Sequence, residues 1–305
     1  MNARGALFAG VSAMLYGSSY VATAIALRSF TPLAVAAWRG LLGAVVLGAL
    51  LMLPALRRQL PARLGIGDLS RLIVMGLLGG AAFTLAMNAA VGITGATVTA
   101  FVAGLYAVLA AALAVPLLGE RLERSTLVAM LAALFGTALL ADLTLTAETV
   151  AGIGLGLVAA ASFGLYLVLT RGWARRRGLS GVAMGLSSLT MTGVAGIAAV
   201  VLAGEPMLPP VARTDALLAI GWLALGPGVV AAVLVVAGMQ LLPARLASVF
   251  LLLNPPTAAV LAFVLLGERP SALQLIGGAC VLLAMAAAAG MLGRALPTST
   301  SQRRD

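Results

Sequence analysis

The segment Leu117-Leu118-Gly119-Glu120-Arg121 occurs a second time in the chain, as Leu265-Leu266-Gly267-Glu268-Arg269. The copies lie 148 residues apart, and each ends a long apolar stretch and begins a short polar link. A second pair of segments agrees at nearly the same offset, because Ala13-Met14-Leu15-Tyr16-Gly17 aligns with Ala160-Ala161-Ser162-Phe163-Gly164. The repeat predicts two halves of similar structure.

The sequence around these segments is too apolar for a water-soluble fold. Of the 305 residues, 62% are hydrophobic and 9% are charged, whereas soluble domains carry roughly 25% charged residues. A helix needs about 20 apolar residues to cross a bilayer. The chain has ten such stretches, which cover residues 5–27, 32–53, 72–92, 95–118, 125–141, 150–170, 180–203, 215–237, 245–266 and 272–292.

The distribution of arginine orients these ten predicted spans. Fifteen of the 19 arginines lie in the amino terminus, in the links after spans 2, 4, 6 and 8 and in the carboxyl tail, whereas the alternate links hold only Arg28, Arg213 and Arg269. Because basic residues concentrate in cytoplasmic loops, both termini are predicted to be cytoplasmic. The arginines form no continuous basic patch, so the expected partner is the lipid bilayer and not a nucleic acid.

Five spans in each half is an odd number, so the two halves must cross the membrane in opposite senses. This predicts an all-α integral membrane protein with ten transmembrane helices in two inverted five-helix repeats. Such repeats are typical of transporters, whose substrate site lies near the bilayer midplane between the halves. The predicted units are a first repeat at residues 1–148, a second at 149–292, and a disordered cytoplasmic tail at 293–305.

Several residue types that catalysis or metal binding would need are missing. The chain has no histidine, and its one cysteine, Cys280, lies in an apolar run. No Asp or Glu lies within any predicted span. An enzyme, a metal site and a cofactor are therefore not expected. Because no embedded carboxylate could balance a buried cation or carry a proton, the substrate is predicted to be neutral or zwitterionic and to move down its own gradient.

Aromatic and amide side chains inside the spans are the candidates for a substrate site. Aromatic rings would contact apolar parts of a substrate, and an amide can both donate and accept hydrogen bonds. Asn88 has an alternative interpretation, because an asparagine can also bond one helix to another. The predicted substrate-binding residues are Tyr16, Tyr20, Phe83, Met87, Asn88, Tyr106, Phe163, Tyr166 and Asn254.

Backbone irregularities and one buried charge complete the predicted site. Gly226, Pro227 and Gly228 lie in span 8, and Pro255 and Pro256 in span 9, where proline removes a helix donor and could form a hinge. A static kink is the alternative. Arg39 is the single charge within a span. It could pair with a substrate carboxylate, or it could have a structural role, which we favour.

The ten spans in two halves, each ending in Leu-Leu-Gly-Glu-Arg, resemble the drug/metabolite transporter superfamily, specifically its EamA-like branch. The resemblance covers residues 5–292. It implies a multi-pass exporter in the bacterial inner membrane, monomeric or weakly dimeric, that uses alternating access between the repeats. Within the branch the chain is similar to YddG-like exporters of aromatic and neutral amino acids, which implies an amino-acid-like substrate.

Two other functions remain open at this point. One is a multidrug or nucleoside (purine) exporter on the same scaffold, and the other, more remote, is a membrane scaffold that transports nothing. The repeated Gly-Glu-Arg element is expected to be structural, with Gly capping the preceding helix and Glu and Arg holding the tight turn into the next span.

Overall fold

The computed structural model describes residues 3–60, 65–119, 124–140, 146–177, 180–241 and 250–288. Every regular element in these ranges is a helix, which confirms the prediction of an all-helical chain. Glu120, Arg121 and the predicted tail 293–305 lie outside the described residues.

The first half contains seven helices within the described residues. They are α1 (Ala3–Ala26), α2 (Pro32–Leu50), the short α3 (Pro54–Arg57), α4 (Ile66–Gly76), α5 (Phe83–Gly104), α6 (Tyr106–Leu118) and α7 (Arg124–Leu140). A π-helical turn at Leu77–Ala82 joins α4 to α5. Gly95 breaks α5 with φ 80° and ψ 175°, a conformation that a residue with a side chain rarely adopts.

The second half contains six helices within the described residues. They are α8 (Ala147–Arg177), α9 (Gly181–Ala203), α10 (Thr214–Leu223), α11 (Ala231–Leu241), α12 (Asn254–Leu261) and α13 (Ala272–Ala288). A π-helical turn at Ala224–Val230 joins α10 to α11. A 3-10 turn at Leu251–Leu253 precedes α12, and a further π-helical turn at Ala262–Leu266 follows it.

Among the residues that the structure describes, six segments are long and apolar enough to cross a membrane, by length and composition: Ala3–Ala26, Pro32–Leu50, Ile66–Leu118, Ala147–Thr170, Gly181–Ala203 and Thr214–Leu234. The 53 residues of Ile66–Leu118 exceed one crossing of about 20 residues, and this segment contains the break at Gly95. Three shorter apolar helices lie at Met130–Leu140, Leu251–Leu266 and Ala272–Ala286. The count of ten spans and the orientation of the termini remain predictions.

The outer surface of the bundle is apolar, as a lipid-facing surface must be. Leu134, Leu202 and Leu218 are each at least 70% exposed. A soluble protein rarely exposes large apolar patches. The exposed leucines are therefore explained by contact with hydrocarbon chains.

Corresponding helices of the two halves begin and end with the same kinds of cap. Thr31 starts α2 and Ser180 starts α9, and each side-chain hydroxyl accepts a hydrogen bond from the backbone N–H three residues later, at 3.2 Å and 3.1 Å. Gly119 and Gly267 follow α6 and the turn after α12 in the left-handed conformation, with φ of 69° and 72°. The expected capping role of both glycines is confirmed.

The two halves pack against each other through helices that correspond in the repeat. The second spans, α2 and α9, pack together, and so do the last spans, α7 and α13. Glycines let the backbones touch: a Cβ on Gly40 would lie 2.6 Å from Gly193 Cα, and one on Gly136 would lie 2.8 Å from the Gly277 carbonyl oxygen. Membrane helices associate closely through such small residues.

Candidate functional site

A cavity of about 260 Å³ lies between the two halves. Helices from both repeats form its wall, so the cavity lies between the halves, where the sequence predicts a substrate site. The lining residues are Tyr16, Ser19, Tyr20, Arg39, Gly79, Gly80, Phe83, Thr84, Tyr106, Phe163, Tyr166, Leu167, Thr170, Gly181, Met184, Gly185, Ser188, Leu189, Thr192, Pro227, Gly228, Ala232, Leu251 and Asn254.

Four aromatic side chains form a cluster on one side of this cavity, with Phe163 at its centre. Its ring centroid lies 5.1 Å from that of Phe83, 5.0 Å from that of Tyr106 and 5.3 Å from that of Tyr166. The Tyr106 ring meets Phe163 edge-on, at an interplanar angle of 74°, and the other two contacts are tilted. Such aromatic surfaces favour apolar or aromatic groups on a bound molecule.

Most of the residues that the sequence nominated lie together on the cavity wall. Arg39 is the charged member among the described lining residues, and it is 8% exposed. Of the predicted hinge residues, two reach the cavity. The nominated residues that line it are Tyr16, Tyr20, Arg39, Phe83, Tyr106, Phe163, Tyr166, Pro227, Gly228 and Asn254.

Met87 and Asn88 do not line the cavity. Met87 is fully buried and packs in an apolar cluster that contains Tyr20. Asn88 donates from its side-chain nitrogen to the Pro32 carbonyl oxygen at 3.1 Å, and its side-chain oxygen accepts from the Thr23 hydroxyl at 3.5 Å. Asn88 thus joins α5 to the end of α1 and the start of α2, which is the bonding role that the sequence had left open.

The predicted hinges have two different geometries. Gly226, Pro227 and Gly228 lie inside the π-helical turn between α10 and α11. Pro255 and Pro256 are the second and third residues of α12, directly after the 3-10 turn at Leu251–Leu253. The two prolines therefore lie where a 3-10 turn changes to an α-helix, inside the longer apolar helical segment Leu251–Leu266.

Several lining residues were not predicted from the sequence, among them Gly79, Gly80, Met184, Ser188 and Thr192. Extending the repeat alignment would have found some of them. At the offset of 148, Gly79-Gly80 corresponds to Pro227-Gly228, and the two π-helical turns coincide. At an offset of 149, Ser188 corresponds to Arg39. π-Helical turns occur frequently at functional sites.

Glu268 corrects one expectation. It does not hold its own tight turn: its carboxylate accepts from the backbone N–H of Ala96 at 2.9 Å and from that of Thr97 at 3.1 Å, and from the Thr97 hydroxyl at 2.6 Å. These donors lie just after the break at Gly95, where α5 restarts with unpaired N–H groups. Glu268 therefore caps a helix in the other half.

The two ends of the cavity differ. Toward the link between α8 and α9 its wall extends to Thr170 and Gly181. At the opposite end of the bundle, the α1–α2 link meets the α9–α10 link. There Arg28 pairs with Asp215 at 3.2 Å, and the Trp38 indole N–H donates to the Met207 carbonyl oxygen at 2.9 Å. At this end, therefore, contacts between the two halves join their links.

The sequence profile of the EamA-like transporter family matches the chain twice, at residues 3–141 and 150–289. No curated protein matches the chain. Fifteen chains of solved structures match. One of them, reported as the crystal structure of a protein, has a TM-score of 0.66 and is 21% identical in sequence. The match covers 97% of this chain and 99% of the chain in that structure, so the two share a fold.

Proposed function

We propose that this chain, which belongs to the EamA-like transporter family, exports neutral or zwitterionic metabolites across the bacterial inner membrane. The chain is a multi-pass membrane transporter of small solutes. The proposed substrates are chiefly amino acids, and they include the aromatic ones. The observation that carries the proposal is the cavity between the repeats, with its aromatic cluster of Phe83, Tyr106, Phe163 and Tyr166.

The size of the cavity supports a small substrate. Pockets for drug-sized ligands measure roughly 300–1,000 Å³, and this one, at about 260 Å³, lies below that range. The wall combines a large aromatic surface with few polar groups. A compact metabolite with one apolar side chain and small polar groups fits these features better than a large drug does.

The mechanism that we propose is alternating access by facilitated diffusion. The cavity extends toward the α8–α9 link, which the arginine distribution assigns to the cytoplasm, while contacts between the halves close the other end. Release on the far side requires those contacts to part. None of the described lining residues is a carboxylate, so none of them could bind a proton in exchange for the substrate as a carboxylate would.

A counterflow assay tests the proposed substrate class. Purified protein is reconstituted in liposomes loaded with unlabelled L-phenylalanine, and uptake of labelled phenylalanine is measured with L-leucine, adenosine and ethidium as competitors. We expect uptake that leucine inhibits and that adenosine and ethidium do not. Stronger competition by adenosine or ethidium than by leucine would instead favour the nucleoside or multidrug function. If labelled phenylalanine, adenosine and ethidium, each tested in liposomes loaded with the same solute, all fail to enter, a scaffold is favoured.

A pair of phenylalanine variants controls this assay. Phe163→Ala removes the centre of the aromatic cluster, so uptake of phenylalanine should fall roughly tenfold, as for the loss of a well-packed aromatic anchor. Phe135→Ala lies on the exposed surface of α7, where Phe135 is 59% exposed, and should leave uptake unchanged.

The proposed facilitated diffusion has its own test in the same liposomes. Accumulation of phenylalanine driven by a pH gradient alone would contradict facilitated diffusion.

A further inference from the structure

Two buried polar atoms on the cavity wall have no hydrogen-bond partner among the described residues. One is a donor, Nη1 of the Arg39 guanidinium, and the other is an acceptor, the side-chain oxygen Oδ1 of Asn254. Arg39 is 8% exposed and Asn254 is 9% exposed, and both line the same cavity. Arg39 belongs to the first repeat and Asn254 to the second.

The fold supplies no hydrogen-bond partner for either atom among the described residues. A buried donor or acceptor without a partner destabilises a protein, and a buried charge without one does so more strongly. In native structures such groups are few, and each calls for an explanation. A ligand that bonds to both atoms would supply the missing partners.

The packing of α2 directs Arg39 toward the cavity. On the residues beside it, the Trp38 indole is bonded to Met207, and the backbone at Gly40 lies against Gly193 of α9. Arg39 itself is 8% exposed and lines the cavity, so its side chain does not extend along the helix to the membrane surface, as long basic side chains often do. This position leaves the guanidinium within reach of a bound molecule.

The two atoms differ in the chemistry that they recognise. A guanidinium only donates hydrogen bonds and is always charged, so its natural partner is a carboxylate. An amide oxygen only accepts, so it suits the N–H groups of an ammonium. Arg39 gives the described wall one positive charge and no negative one. A cation would be repelled, whereas a molecule with a carboxylate would be attracted.

We propose that Arg39 binds the carboxylate of the substrate and that Asn254 Oδ1 accepts a hydrogen bond from its amino group, so that an α-amino acid bridges the two repeats with its side chain toward Phe163. This inference rests on the proposed function and deepens it. It assigns the two ends of the zwitterion to different halves of the protein, and it excludes amines that lack a carboxylate.

Three related probes test the assignment in the wild-type protein: L-phenylalanine, 3-phenylpropionate, which lacks the amino group, and phenethylamine, which lacks the carboxylate. Binding of each to the purified protein in lipid nanodiscs is measured by calorimetry. We expect phenylalanine to bind most tightly, 3-phenylpropionate less tightly, and phenethylamine about 10- to 100-fold more weakly than phenylalanine, as for a lost hydrogen bond to a charged group.

Two variants should change this order in opposite ways. Arg39→Met should weaken phenylalanine and 3-phenylpropionate about 10- to 100-fold and leave phenethylamine unaffected or improved. Asn254→Leu should weaken phenylalanine and phenethylamine and leave 3-phenylpropionate unaffected. Arg57→Met, on an exposed residue of α3, is the matched control and should bind all three probes like the wild type.

The outcomes separate this inference from the proposed function. If phenylalanine is transported but phenethylamine binds equally well, the role of Arg39 is overturned; if 3-phenylpropionate binds equally well, the role of Asn254 is overturned; in both cases the proposed function stands. If 3-phenylpropionate binds more tightly than phenylalanine and no amino acid is transported, the amino-acid function and the role of Asn254 are overturned. If none of the probes binds, both proposals are overturned. Because the wild-type order alone decides, a variant that fails to fold does not block the test.

Discussion

At the scale of single residues, Glu268 shows how one side chain connects the two repeats. Its carboxylate accepts three hydrogen bonds from Ala96 and Thr97, at the point where α5 restarts after Gly95. The positive end of a helix dipole attracts a negative charge, so the capping is favourable in charge as well as in geometry. Glu268 follows α12 and its final turn, so it fastens the second repeat to the first.

Replacing this carboxylate by an amide should destabilise the fold. In Glu268→Gln the side chain loses its charge, and one of its two acceptors becomes a donor that faces the N–H groups of α5. We expect a loss of about 1.5–3 kcal/mol in stability, the range for hydrogen bonds to charged groups, measured as a lower thermal unfolding midpoint in detergent. Glu148→Gln, on an exposed residue of α8, is the control. Equal midpoints for both variants would contradict the capping role.

At the scale of whole elements, the crossings between repeats depend on glycine. The backbones of α2 and α9 touch at Gly40 and Gly193, and those of α7 and α13 touch at Gly136 and Gly277. In lipid there is little hydrophobic drive between helices, so close van der Waals packing must hold them together. The same packing keeps Arg39 on the cavity wall.

A methyl group at one of these crossings should separate the helices. Gly40→Ala would place a Cβ 2.6 Å from Gly193 Cα, and overpacking of this kind typically costs about 1–3 kcal/mol. We expect a lower thermal unfolding midpoint and weaker transport. Gly48→Ala lies on the same helix and its Cβ would meet nothing within 4 Å, so it should fold like the wild type. A Gly40→Ala protein with the wild-type midpoint would refute the close crossing.

At the scale of the whole molecule, one end of the bundle is closed by contacts between links of the two halves. Arg28 and Arg213 both pair with Asp215, at 3.2 Å and 3.0 Å, and the Arg213 backbone N–H donates to the Ser29 hydroxyl at 3.2 Å. These ion pairs are exposed, so each contributes little by itself. Weak contacts between the halves at this end are compatible with the proposed alternating access, in which they would part during transport.

Loss of Asp215 should therefore favour the conformation that is open at this end. In a Cys280→Ala background, Ser19→Cys places a thiol on the cavity wall, and a membrane-impermeant maleimide reports its access from outside intact cells. With Asp215→Asn added we expect faster labelling, by less than about fivefold, because exposed ion pairs are weak.

A carboxylate at the opposite end supplies the control for this experiment. Asp68→Asn removes an ion pair to Arg71 that lies within α4 and does not join the halves, so labelling from outside should not change. Unchanged labelling in Asp215→Asn, or equal acceleration in both variants, would contradict a closing role for the Asp215 contacts.

Short-range patterns made much of the fold predictable. The break at Gly95 falls on the first residue of the predicted fourth span, 95–118. The capping role of Gly119 and Gly267 follows from a glycine at the end of an apolar run. Aromatic residues deep in spans, such as Tyr16 and Phe163, were nominated for the site and line the cavity. The partner of Glu268 was not predictable, because Ala96 and Thr97 lie about 170 residues away and offer only backbone and a hydroxyl.

The sequence by itself determined that the chain is an all-helical membrane protein built as a tandem repeat, because hydrophobic length and self-similarity are properties of the chain alone. Only the tertiary structure decided which polar residues face the cavity. Asn88 and Asn254 both lie inside apolar stretches of the sequence. Asn88 bonds to Pro32 and Thr23, whereas Asn254 presents an unpaired oxygen to the cavity. The physical reason is that a buried polar group takes the nearest partner, and which partner is nearest depends on how the helices of the two halves pack.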